Sequence, residues 1–582
     1  MFCKPWNRRL PALAVLLLLA AGGCGRKAEG PAPLYAVVRF ENLSGDPGLD
    51  WTGLAASEVL SSTLSNAMDG IVLTPSSLAR LGKALGARPA GVPGSSAQRQ
   101  EAVLAGANRL ISGSVEKGAG GIVVRAVDED LTTGKAVRTL SGTGAQPLQA
   151  LTALAAAFSA KAKPYATANS EALRLYSEAA EAPPAEAPGL LDRALAADPD
   201  FGEARVLLVA TRLAGGDRAG ASAAIAEARS HRLTDADQAG LDVSAAALSG
   251  DNAARAAALK RLTVLTPGDT TLLRAVAESE TSSGRFSEAA ADWKRLTGLV
   301  PSDADAWNQL GYNLAWSGNY PAAAAAHAQY AKLRPGDPNP LDSAGDVQFM
   351  YRRYAEAAKS YLAANAKAPG FERFADLYKA AWAKFRAGDK AGADKTFEEF
   401  RTARGNGNPL GIELFQADWL YRTGRRKEAA ALLRARVADK ESAAAWPTAY
   451  SQLAIWELAA GERAQAMKDS LAGGQPKTPV QVIVRIASMP SASPAEWSAR
   501  VNGMLPGPAL AGLRSLALGY ALLLDGKREA ATAVWQQIAA SAPATDFPFR
   551  AMAEWLATGK TALALIPNHE SVNEFAVLFG DL

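Results

Sequence analysis

Residues 304–337 read ADAWNQLGYNLAWSGNYPAAAAAHAQYAKLRPGD, and this stretch decides the fold. It holds two runs of helix formers separated at SGN and closed at RPG. Pro335 is one tooth of a comb: Pro199, Pro267, Pro301, Pro335 and Pro369 fall on one 34-residue grid, with Leu233 at the missing position. Gly216, Gly250, Gly284 and Gly318 form a parallel grid with the same spacing. Glycine takes left-handed backbone angles without a Cβ clash, so it ends a first helix. Proline lacks the N–H that a helix needs, so it ends a second. A fixed period built from these two residues predicts helix pairs that bury their apolar faces on one another, an α-solenoid.

Within the stretch, Trp307, Leu310, Gly311, Leu314, Gly318, Tyr320, Ala323 and Pro335 sit where the tetratricopeptide-repeat (TPR) family carries its motif. The resemblance is specific in repeats 270–303, 304–337, 338–371 and 512–545. His327 and Tyr330 depart from it, standing where the family favours Phe and Ala. Repeats near 374–407, 410–443 and 447–480 keep the inter-helix glycines Gly388, Gly424 and Gly461 and the later Ala393, Ala429 and Ala466. They lose most of the rest. The resemblance implies a mainly α fold: a right-handed superhelix over 165–467, degenerate helices or a linker over 468–511, and a C-terminal repeat and cap over 512–582.

In the family, repeat positions 2, 5, 9, 12 and 13 line a concave face that holds protein partners. Carried onto this chain, that face includes Asn308, Tyr312, Trp316, Asp342, Asp346, Phe349 and Met350. Aromatics beside acids suit a peptide or amphipathic helix with basic ends. The other reading packs Trp316 and Phe349 against adjacent repeats. The Lys/Asn clamp that some family members use for C-terminal carboxylates is missing, with Asn308 and Tyr312 in its places.

Upstream, residues 34–162 alternate strand and helix signals: LYAVVRF, a turn at ENLSGDPG, a helix over 50–67, IVLTP, a helix over 97–108, a three-strand meander over 109–143 and a helix over 146–161. VVRFENLSGDPGLDW, IVLTPSSL and LISGSVEKGAGGIVVRAVDEDLTTGKAV resemble the TolB-N-like domain, which accompanies TPR arrays in bacterial cyclases, kinases and regulators. Arg39 stands where that family usually has Pro. Asn42, Ser44, Gly45 and Asp46 read first as turn formers.

The N-terminus looks like an address. Lys4, Arg8 and Arg9 precede the apolar run LPALAVLLLLA, too short to span a bilayer, and AGG leads into Cys24. This resembles the lipobox of bacterial lipoproteins, with Ala21 where Leu is usual; the other reading is an ordinary secretory signal. The resemblance implies that residues 1–23 are removed, Cys24 is lipidated and 24–33 form a tether. Gly25 then points to the outer membrane of a cell that has one.

The formal charge of +4 falls to +1 without the three leader cations, so nucleic acid is not an expected partner. The three histidines are far apart, Cys24 would be the one cysteine left, and no nucleophile elbow or phosphate loop occurs. No enzyme activity, cofactor, metal or small-molecule substrate is expected. The reading is a scaffold held to the envelope by a lipid, facing the periplasm and recruiting proteins. The alternative is a regulatory module that serves a separate kinase or cyclase.

Overall fold

The computed structural model describes residues 33–65, 67–75, 77–78, 95–405, 409–439, 447–541, 547–560, 563 and 574–579. The leader, Cys24 and the tether up to residue 32 lie outside them.

The chain opens with a mixed sheet. Strands β1 (Leu34–Val37), β2 (Glu41–Asn42), β3 (Ile71–Val72), β4 (Arg109–Gly118), β5 (Gly121–Asp130) and β6 (Lys135–Gly144) order as β3-β1-β4-β5-β6, with β2 also on β4. The β1 pairings are parallel, whereas β4, β5 and β6 form an antiparallel meander. Alternation along β5 buries Ile122, Val124 and Ala126 on one face. Asp128 continues that face, fully buried, and ion-pairs with Arg109 at 2.6 Å and Arg138 at 2.9 Å. Helix Pro147–Phe158 packs against β6, where Gly142 leaves room: a Cβ there would stand 2.1 Å from the Ala150 carbonyl oxygen. The loop after β2 is a turn. The Asn42 carboxamide oxygen accepts from the Ser44 N–H, and the Asp46 carboxylate accepts from the Gly48 N–H.

Helix pairs follow, and their boundaries obey the two combs. Helices end at Ala197, Leu265, Leu299, Leu333 and Lys367, two residues before each comb proline. Gly216, Gly250, Gly284 and Gly318 all lie at positive φ, between +73° and +92°, at the turn inside each pair. Asp251, Asp269, Asp303 and Asn319 cap the helices that begin after them, each accepting a first-turn backbone N–H. In the clearest pairs the crossing of the two helices is made at a glycine. Gly345 faces Tyr361 and Gly519 faces Trp535, with room for no Cβ. The array is therefore a TPR-type solenoid behind a small α/β region.

The degenerate stretches also form helices. Pairs Ala375–Arg386 with Lys390–Gly405, Pro409–Arg422 with Arg426–Ala438, and Pro447–Ala459 with Arg463–Ala472 keep Gly388, Gly424 and Gly461 at positive φ. Between 468 and 511 stand helices Pro479–Ala487 and Pro494–Met504, which bury Ile483, Val484, Trp497 and Val501.

The α/β region touches one turn inside a pair and several turns that join one repeat to the next. Arg39 pairs with Glu181 at 2.5 Å. Ser62 donates to Glu203 at 3.2 Å, the Ser77 hydroxyl accepts from the Thr270 N–H at 3.1 Å, and Gly106 abuts Leu299 and Val300. One hydrophobic core runs from the sheet into the helices up to Leu241. Among the described residues, no single helix is long and apolar enough to cross a membrane.

Candidate functional site

The first helices of three successive pairs, Ala304–Trp316, Asn339–Met350 and Ala375–Arg386, bring the nominated residues together. Spacing of four puts Asn308, Tyr312 and Trp316 along one helix stripe, and Asp342, Asp346 and Met350 along the next. The Tyr312 hydroxyl donates to one oxygen of Asp346 at 3.0 Å, and the Tyr361 hydroxyl donates to the other at 2.9 Å.

The third helix adds two residues that the sequence reading missed. Lys379 Nζ lies 2.7 Å from Asp342 and 3.2 Å from Asp346, and only 2% of its side-chain surface is exposed. Burial opposes its charge, but the two carboxylates outweigh that and hold its pKa above the usual lysine value. Asp376 lies beside Asp342. Burial first, then the Asp342 carboxylate, push Asp376 up to about 9, so it carries a proton at neutral pH. Burial also raises Asp342, with Asp346 adding to it. Asp376 stands 34 residues after Asp342, but its helix starts 36 residues after the one before, so the repeat grid does not single it out. Among the described residues, no group of three His, Cys, Asp or Glu side chains is placed to hold a metal ion.

The aromatic residues pack inward. Trp316 stacks on Tyr312 with centroids 5.4 Å apart and meets Phe286 of the preceding pair at 5.1 Å. Tyr312 also meets the His327 ring edge-on at 5.2 Å. Phe349 packs against Tyr354 at 5.0 Å. The expectation of an open row is thus corrected for three side chains. Asp342, Phe349 and Met350 are buried: Lys379 of the next pair satisfies Asp342, Tyr354 of the same pair covers Phe349, and Met350 joins a core with Val347 and with Ala315 and Ala323 of the preceding pair. Asn308, Tyr312, Trp316 and Asp346 remain half-buried. Leu563, from the C-terminal segment, packs against that same core beside Tyr312, Trp316 and Tyr351.

His327 is buried, and desolvation lowers its pKa to about 4, so the ring is neutral. A neutral imidazole wedged in a helix crossing is a packing residue. The open part of the site is the half-buried Asn308, Tyr312, Trp316 and Asp346, while Asp342, Lys379 and Tyr361 are closed to a ligand. His231, the other described histidine, pairs with Asp200 at the surface, 3.1 Å away.

No family model matches the chain, and neither does any curated protein. Solved structures resemble parts of it. MamA aligns over 30% of this chain and 94% of its own, at 17% identity and a TM-score of 0.27. A structure titled for functional characterisation of Pseudomonas aeruginosa pilF aligns over 37% and 97%, at 16% identity and a TM-score of 0.25. Yeast Tom70 aligns over 66% and 88%, at 11% identity and a TM-score of 0.30. At these scores the likeness is too loose to carry a function across.

Proposed function

We propose that the chain is a non-catalytic scaffold that holds protein partners on the inner wall of its helical array, anchored to a bacterial envelope membrane through a lipid on Cys24. The observation that carries the first half is the wall itself. Three consecutive first helices set half-buried Tyr312 and Trp316 next to a fixed set of carboxylates. Rigid aromatics on a preorganised backbone give contact area at low entropic cost. The anchor rests on the leader and Cys24, and the periplasmic face follows from it.

A regulatory module remains the second reading. It is favoured by the way the α/β region lies across successive inter-repeat turns, because a shift in the array would be felt there.

The test is a pull-down from detergent-solubilised membranes with the full chain. A defined complex that survives salt and weakens in Trp316→Ala supports the scaffold. Recovery of only abundant housekeeping proteins contradicts it. For the anchor, Cys24→Ala is expected to move the protein to the soluble fraction, and unchanged fractionation contradicts lipidation.

A further inference from the structure

The 34-residue comb breaks after Pro369, and the break builds a cleft. Gly370 takes φ +89°, and then Glu372, Arg373 and Phe374 take φ values of +43°, +59° and +66°. Each L residue held there costs free energy, and a run of three persists only where the surroundings over-determine it. The turn also removes a cap. Helices that start at 270 and 304 have Asp269 and Asp303 bound to their first-turn N–H groups, whereas Ala375–Arg386 starts after Phe374 with no side-chain cap.

Beside this turn lies a cleft of about 380 Å³, lined by Glu372, Arg373, Ala375, Tyr378, Arg404 and Phe415. The Arg404 guanidinium rests 4.6 Å over Phe415 and 5.5 Å over Phe400, and it donates to the Arg373 carbonyl oxygen at 3.5 Å. Arg373 is exposed at the rim. Behind them the buried Tyr378 ring packs on the buried Phe400 and the half-buried Phe415, with its hydroxyl turned to Asp418. Arg373, Arg404, the uncapped helix start at Ala375 and the half-buried Phe415 therefore line one concavity.

We propose that this cleft binds an acidic peptide segment, with Arg373 and Arg404 holding a carboxylate and Phe415 packing the residue beside it. Guanidinium matches a carboxylate with two parallel hydrogen bonds, and a helix N-terminus adds N–H donors of the right polarity. Glu372 is the opposing charge, and it supplies a sign test. The proposal deepens the scaffold reading, on which it rests, by naming the partner chemistry at one place.

The experiment uses the full chain and a short fluorescein-labelled peptide of alternating Glu and Phe, with a Gln-for-Glu counterpart, read by fluorescence anisotropy at low salt. The Glu peptide is expected to bind about tenfold tighter than the Gln peptide. Arg373→Ala and Arg404→Lys should each weaken it about fivefold, the latter because lysine keeps the charge and loses the fork. Glu372→Gln should tighten it. Arg401→Ala, on the same helix but paired with Glu398, should leave it unchanged. Equal binding of the two peptides, no binding at all, or an equal loss in Arg401→Ala would overturn the proposal. A chain that captures a partner but no acidic peptide sinks the cleft alone. One that binds the peptide but captures no partner sinks the scaffold reading alone.

Discussion

The His327 ring lies across Gly311, so that a methyl group added at residue 311 would stand 2.3 Å from its Cδ2 and Nε2 atoms. Gly345 lies under Tyr361 and Gly519 under Trp535 in the same way, at 2.5 Å and 2.1 Å. Gly311→Ala should therefore overpack the crossing and lower stability by about 1–3 kcal/mol, with Gly311→Leu at the upper end. Gly298 is the control. It is a helical glycine with nothing within 4 Å of its missing Cβ. Gly298→Ala should instead be neutral or gain about 0.5–1 kcal/mol. Thermal melts of the two variants check the contrast.

His327 also sets an acid sensitivity. Burial holds its pKa at about 4, below the ordinary histidine value of 6.5, so the fold favours the neutral ring. That contribution is present above 6.5 and is lost as pH falls towards 4. His327→Phe, which places the usual family residue there, should narrow the drop in melting temperature between pH 7 and pH 4. An unchanged drop would assign the sensitivity elsewhere.

Arg352 occupies the next position of the glycine comb after Gly318, and its φ is +59°. Arg352→Gly should relieve the left-handed strain and raise stability by about 0.5–1 kcal/mol, the strain outweighing the added unfolded-state entropy. Arg353 should not be changed with it, since its guanidinium lies 4.9 Å over the Tyr320 ring and pairs with Glu356. Denaturant midpoints of the single variant decide the sign.

The buried Lys379 network predicts two opposite effects. Lys379→Met leaves Asp342 and Asp346 without their cation and should cost about 3–5 kcal/mol. Asp376→Asn should do the reverse as pH rises. The unfolded carboxyl ionises near its ordinary value, while the folded one keeps its proton up to about 9, so wild-type stability erodes across that window. The variant's gain in melting temperature should therefore be larger at pH 8 than at pH 5.

The array was legible because glycine and proline act on the backbone directly, and their spacing survives wherever Gly318 or Pro335 has a counterpart 34 residues away. The meander was legible from the alternation of Ile122, Val124 and Ala126. The site was only half legible. Repeat position says which way Phe349 and Met350 face, but not how closely the neighbouring helices pack over them. Lys379 was hidden because the turn Phe371–Phe374 delays its helix to residue 375, and nothing in GFERF announces left-handed backbone at Glu372 and Arg373. The contact of Leu563 with the core beside Trp316 joins segments too far apart in sequence for any local pattern to reveal.

The central claim is that partners are held by the wall that the first helices line. A photo-crosslinking amino acid at Trp316, on that wall, and at Ala325, exposed on the second helix of the same pair, tests it in the full chain expressed in cells. A discrete crosslinked species from position 316 and none from 325 is the predicted result. Crosslinks from 325 alone, or identical patterns from both, would contradict it.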